Sequence, residues 1–435
     1  MKFKVIGAGL AGTEAAWQIA EKGYKVTLYE QKPIKKSPAH KTDGFAELVC
    51  SNSLKASRLD SAAGLLKYEM EMLGSLTVGC AKQCAVAAGG ALAVDRDEFS
   101  RLVTEKIKSH PNITVEYEVV DDIDTDEYCI TIVATGPLTD GKMSQSIKAL
   151  CGSYLSFYDA AAPIVTAQSI NTEIAFGASR YGRGGENDYL NCPFNKEQYE
   201  NFISELVSAE GAVLHDFDVY EGCMPIEKLA KRGLDAPRFG PMKPVGLTDP
   251  RTGHRPWAAV QLRRENASGT MYNLVGFQTN LKFPEQRRVF SMIPGLENAE
   301  FVRYGVMHRN SFLNSPKVLN SDFSLKTHKN IFFSGQITGV EGYMESAASG
   351  IIAGINAVRL YENKPSVKLP EVTMTGALSA YISDETVKDF QPMGANFGVL
   401  PPIEPKIRDK KERYAALSSR AVEALERVIA DENNR

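Results

Sequence analysis

No apolar run among the 435 residues approaches the roughly 18 that a helix needs to cross a bilayer, so a membrane-spanning protein is not expected. Cysteine is sparse as well. The seven, at 50, 80, 84, 129, 151, 192 and 223, are odd in number and scattered, which excludes a disulfide framework and suits a reducing compartment. Cys80 and Cys84 stand in C-x-x-x-C spacing without a second ligand pair, so they are read as structural and no metal site is expected. Neither charge sign dominates. Fifty Lys and Arg against 53 Asp and Glu give a net charge of −3, which argues against a chain that coats nucleic acid and leaves only local basic stretches, at 251–257, 261–266 and 406–413. The N-terminal apolar stretch is interrupted by Glu14 and offers no cleavage signal, so a cytoplasmic location is expected. With 43% hydrophobic and 24% charged residues the composition is that of a soluble globular protein, and 435 residues exceed one ordinary core.

What the sequence does contain begins at residue 2. "KFKVI" is a short strand pattern that stops at "GAGLAG", and an alanine-rich helical stretch from Leu10 to Lys22 ends at Gly23, a residue suited to a helix C-terminus. "KVTLYE" then makes a second strand. Gly7, Gly9 and Gly12 stand in G-x-G-x-x-G register, with Ala8, Leu10 and Ala11 between them, and Glu30 closes the second strand. Gly7 permits the tight turn, Gly9 lets the backbone approach a pyrophosphate, Gly12 lets helix and strand pack closely, and Glu30 can accept from ribose hydroxyls. This is a dinucleotide site.

Two later segments bear on which dinucleotide. "ITIVATGP", 130–137, is a buried-strand pattern breaking at Thr135-Gly136, like the strand-end turn of two-dinucleotide-binding flavoproteins. "NIFFSGQITGVEGYMESAASGIIAGINAVRLY" runs strand, glycine turn and helix, and resembles the flavoprotein motif that approaches the flavin, here with Gly335, Gln336, Gly342 and Tyr343. The bland alternative for its Gly350 and Gly354, four apart, is close helix packing. Together the three segments imply FAD and an α/β fold: a Rossmann-like FAD-binding domain of the glutathione-reductase-like type, split between 1–150 and 301–435. Between them, 151–300 changes to short strands and Gly/Pro-rich turns, expected to be an inserted α+β substrate domain. Asp95 is expected to cap a helix, with Glu98 reaching back. From Lys406 onward, Tyr414, Leu417, Ala421, Leu425 and Val428 recur at helical spacing and predict an amphipathic helix.

Two cysteines lie in turn-rich, polar settings: Cys50 in "ELVCSNSLKA" and Cys223 in "YEGCMPIEKLAKRG". Such thiols are candidates for chemistry, with Lys55 and Lys228 near in sequence as groups that would favour the thiolate. Blocks across nearly the whole chain, among them "SPAHKTDGFAELVCSNSLKA", "FYDAAAPIV", "EGCMPIE", "FGPMKPVGL" and "RYGVMHRNSFLNSP", resemble the folate- and FAD-dependent tRNA uracil-5-methyltransferases. The resemblance implies methylenetetrahydrofolate as carbon donor, reduced FAD as reductant, NAD(P)H as electron source and the T-loop uridine (position 54) in the T-arm of tRNA as target, with no obligatory protein partner. It also carries Cys223 as nucleophile and Cys50 as a second essential thiol acting as base, although the sequence alone does not order those two roles. Tyr181, Arg183, Arg255 and Trp257 are candidates for stacking on a pterin or base and holding phosphates, with Trp257 equally readable as core. Rival readings are the same chemistry on large-subunit rRNA, the related wobble-uridine carboxymethylaminomethyl enzyme, an NAD(P)H flavin reductase, and a non-catalytic RNA-binding flavoprotein.

Overall fold

A computed structural model of the chain describes all residues except 38, 153–154, 183–184, 186–187, 213–223 and 434–435. Its centre is a five-stranded parallel sheet in the order Ile331–Phe333, Cys129–Val133, Lys2–Ile6, Val26–Glu30, Ile113–Tyr117. Strands covered on both faces read as unbroken apolar runs, and Cys129–Val133 is buried at every position. The helix Leu10–Glu21 stops where Gly23, at φ +86°, turns the chain out of helical geometry. It packs along the helix Tyr343–Tyr361 through backbone contact, because a Cβ on Gly350 would stand 2.1 Å from Ala11 O and one on Gly354 2.8 Å from Ala15 O. Those two glycines therefore serve packing, while the start of their helix faces elsewhere.

A second, antiparallel sheet takes its strands from Ile164 to Arg303, in the order Phe176–Gly177, Tyr189–Phe194, Ala258–Arg264, Met271–Leu274, Ile164–Thr166, Phe301–Arg303. It has its own core, in which Phe194, Phe202, Phe277 and Phe290 pack ring to ring. The chain enters and leaves this part through an antiparallel ribbon of Leu155–Ala160 with Met307–Phe312.

Local expectations fare unevenly. Asp95 caps the helix Arg96–Ser109, accepting the Glu98 N–H at 3.1 Å, but Glu98 does not reach back. Its carboxylate binds Arg101, and the Asp95 N–H goes to Cys84 O instead. Cys80 and Cys84 sit in the core, where burial pushes their thiols up to about 11 and about 12. The final helix spans Lys410–Asn433 and buries Leu417, Ala421 and Leu425. Among the described residues, no helix is long and apolar enough to cross a membrane.

Candidate active site

Strand order reverses beside Lys2–Ile6, and in an open α/β sheet a crevice forms there beyond the carboxyl ends of the strands. A cleft of about 500 Å³ occupies that place. Gly7 turns at φ +102°, with a would-be Cβ 2.5 Å from Ala134 O; a Cβ on Gly12 would lie 1.8 Å from Gly7 O. Both positions exclude a side chain for packing reasons. A Cβ on Gly9 would meet nothing within 4 Å, so that glycine keeps space open above the helix Leu10–Glu21. No side chain caps this helix. Its first N–H groups and the positive end of its dipole are left for an anion.

The opposite wall repeats the device. Gly335 turns at φ +87° and Gly342 at φ +126°, and the helix Tyr343–Tyr361 also begins without a side-chain cap. Gly7, Gly9, Leu10, Ala11, Glu30, Thr135, Gly136, Gly335, Gln336, Gly342 and Tyr343 all line the one cleft. Ala8 and Gly12 do not: the Ala8 N–H is held by Glu30 Oε2 at 2.9 Å, and Gly12 packs under the Gly7 turn and against Ala134. Glu30 is buried, its other oxygen accepting the Lys32 N–H at 2.9 Å, which fixes the carboxylate while leaving lone pairs for hydroxyl donors. Two uncapped helix starts, a glycine opening and an anchored carboxylate fit an extended dinucleotide.

Cys50 stands in the same cleft, half-buried. Its sulfur is 3.0 Å from the Tyr343 hydroxyl, whose oxygen also accepts the N–H of Cys50 at 2.7 Å and of Ser51 at 3.2 Å. Burial, and then the charge of Cys50, hold the Tyr343 phenol well above its ordinary range, so it stays protonated. Two arginines pin the loop from beneath. Arg96 donates to Leu48 O at 2.8 Å and Val49 O at 3.1 Å while pairing with buried Glu265; Arg263 donates to Asn52 Oδ1 at 3.0 Å and Ser51 Oγ at 2.9 Å. Burial holds Arg263 and Arg303 below the usual guanidinium value, and Arg96 adds to this in both. This electropositive floor favours a thiolate at Cys50.

Other expectations are redistributed. Lys55 lines the cleft but pairs with buried Glu345 at 2.7 Å, from a backbone at φ +63° that a lysine rarely adopts. Trp257 is 36% exposed under the Arg238 guanidinium and does not line the cleft; neither does Arg255. Cys223 and Arg183 lie outside the described residues. Arg96 lay inside the capping pattern read at Asp95–Glu98, and Arg263 and Glu265 inside the basic stretch 261–266, but no spacing tied any of them to Cys50.

Residues 2–365 match the family described as glucose inhibited division protein A. The protein named methylenetetrahydrofolate–tRNA-(uracil-5-)-methyltransferase TrmFO is 58% identical in Acetivibrio thermocellus over 432 residues, 98% of each chain. The proteins of that name in Halalkalibacterium halodurans and Enterococcus faecalis are each 55% identical, over 98% of each chain. Among solved structures, Aquifex aeolicus GidA superposes with a TM-score of 0.70 at 16% identity, covering 100% of this chain and 76% of that one, which shows a shared fold. Identity of this extent along the full length, on a glycine-built nucleotide cleft with a cysteine in its wall, establishes that the chain belongs to the methylenetetrahydrofolate–tRNA-(uracil-5-)-methyltransferase family.

Proposed function

We propose that this protein methylates carbon 5 of the T-loop uridine, position 54, of tRNA, with methylenetetrahydrofolate as carbon donor, FAD as the bound redox group and NAD(P)H as electron source. The observation that carries the proposal is the presence of Cys50 in the wall of the dinucleotide cleft, against Tyr343 at the start of the helix Tyr343–Tyr361. FAD, when bound and reduced, supplies the hydride that converts a methylene bridge on carbon 5 into methyl. Gly9 and the start of Leu10–Glu21 would hold its pyrophosphate, Glu30 its adenosine ribose, and Gly335, Gln336, Gly342 and Tyr343 its flavin half, with Thr135 and Gly136 between.

Carbon 5 of uracil is a weak nucleophile, and the protein's part is to make it a strong one. A thiolate adding to carbon 6 places the ring electrons on carbon 5 as an enolate, which attacks the one-carbon unit of the folate. A base then takes the proton from carbon 5, the electrons released break the bond from the one-carbon unit to the folate nitrogen so that tetrahydrofolate departs and leaves a methylene on carbon 5, and the thiolate leaves carbon 6 as a hydride completes the methyl group. Cys223 is assigned to the addition and Cys50 to the proton. The Tyr343 O–H beside its sulfur and the arginine-held loop around it suit Cys50 to handle that proton. Residues 151–300 are proposed as the part that presents folate and RNA to the cleft.

The test supplies NADPH, carbon-labelled methylenetetrahydrofolate and either an unmodified tRNA transcript or a large-subunit rRNA fragment. Label recovered as 5-methyluridine at position 54 of tRNA is the expected result. Label in rRNA alone would change the target, and NADPH consumption without label would reduce the protein to a flavin reductase. Cys50→Ala and Cys223→Ala are each expected to abolish methylation; full activity in either removes that residue from the mechanism.

A further inference from the structure

The segment that follows Cys223 differs in charge from the rest of the molecule. In a chain of net charge −3, residues 228–257 hold seven Lys and Arg against two Asp. Both aspartates are already paired, Asp235 with Arg238 at 3.0 Å and Asp249 with Arg251 at 2.7 Å. The same segment exposes large apolar side chains: Phe239 is 83% exposed and Leu234 66%. Beside them Arg238 lies flat on the Trp257 ring, 3.8 Å from its centroid, and donates to Trp257 O at 3.1 Å. Exposed aromatic faces interleaved with cations match single-stranded or looped RNA, whose bases stack while its phosphates are neutralised.

The patch is continuous with the cleft. The helix Ile226–Arg232 starts with the Ile226 N–H on Gln278 O at 2.8 Å, and Gln278 lines the cleft; the helix ends at Gly233, next to Leu234. The helix that carries Lys228 and Lys231 therefore joins a residue bonded to the cleft wall to the segment holding the Arg238–Trp257 pair. We propose that this face is the RNA-docking surface, binding the tRNA substrate through stacking on Phe239 and Trp257 and phosphate contacts at Lys231 and Arg255. The proposal rests on the function assigned above and names the face that holds its macromolecular substrate.

Phe239→Ala and the double variant Lys231→Gln/Arg255→Gln alter only exposed side chains, and flavin content and thermal melting check that they fold. Binding of an unmodified tRNA transcript to the full flavoprotein is measured by fluorescence anisotropy across a salt series. Phe239→Ala is expected to weaken binding about fivefold or more, and the double variant to flatten the slope of log affinity against log salt by about one to two. Affinity and slope equal to the parent's would overturn the assignment. So would a change in sedimentation with RNA affinity unaltered, which would make the patch a contact between copies of this chain. Label transfer by the parent is scored separately. Transfer with unchanged variant affinities sinks the surface and leaves the function, whereas weakened binding without transfer sinks the function and leaves the surface.

Discussion

The hydroxyl oxygen of Tyr343 lies 3.0 Å from the sulfur of Cys50 while two amide N–H groups, those of Cys50 and Ser51, point at the same oxygen. A phenol has two lone pairs and one proton. With both lone pairs engaged by amides, the proton is directed to sulfur, so Tyr343 is a donor to Cys50. Tyr343→Phe removes that donor with little change of shape. Alkylation of Cys50 at pH 7.5, followed on its peptide by mass spectrometry, is expected to slow by roughly fivefold, the scale of one hydrogen bond to a charged group in a half-buried site. An unchanged rate would mean that the hydroxyl serves the loop backbone alone.

Gly9 and Gly12 are expected to separate cofactor binding from folding. A methyl at Gly9 meets open space, whereas one at Gly12 collides with Gly7 O at 1.8 Å. Gly9→Ala is expected to fold and melt like the parent yet purify with reduced flavin. Gly12→Ala is expected to lower the melting temperature as well, because the turn itself must move. Equal melting of the two variants would contradict the packing role of Gly12.

Arg263 holds the Cys50 loop by a fork to Ser51 and Asn52 from a strand more than two hundred residues away. Lysine keeps the charge and loses the fork. Arg263→Lys is therefore expected to lose at least about tenfold in kcat with flavin content retained, and to show a broadened pH profile as Cys50 loses its fixed position. A pH profile and kcat like the parent's would assign the arginine to domain docking only.

Lys67 is a buried lysine whose ammonium donates to Leu54 O and Ala63 O, both at 2.7 Å. Burial, its largest influence, brings it down to about 8, against 10.5 in the unfolded chain. Between those values the unfolded chain carries the extra proton, so this residue's contribution to stability rises with pH from about 8 to 10.5 and is absent below. Urea denaturation of the parent and of Lys67→Met at pH 7.5 and 10 should show the parent gaining relative to the variant by about 1–3 kcal/mol. A constant difference between the two would mean that Lys67 does not titrate in this window.

The glycine turns that shape the cleft were legible in the sequence because their demands fall on the backbone. Gly7, Gly9 and Gly12 occupy positions where a Cβ would collide or fill needed space, and such demands leave local patterns. The tail helix was legible for the same local reason, through its apolar spacing. The setting of Cys50 was not. Its partners come from Arg96, Arg263 and Tyr343, on three different elements, and no spacing rule connects them. Glu98 shows the limit at short range: the sequence pattern was that of a reciprocal cap, but Arg101 one turn on offered the carboxylate a charged partner. Trp257 could be read as core or surface because nothing in its neighbours announces the Arg238 ring contact.

The strand Ile331–Phe333 completes the central sheet by pairing with Cys129–Val133, and Gly350 lets the helix Tyr343–Tyr361 rest on Ala11 of the first helix. During synthesis these pieces emerge late, after more than three hundred residues. Until the ribosome has passed the helix Tyr343–Tyr361, the strand Cys129–Val133 has an open edge and the first helix lacks the neighbour that rests on Ala11 and Ala15. The intervening sheet, with its separate core, can form first. The nascent chain therefore carries an unfinished nucleotide fold through most of translation, and cofactor capture belongs to the end of synthesis, where it can act as the latch that closes the two halves.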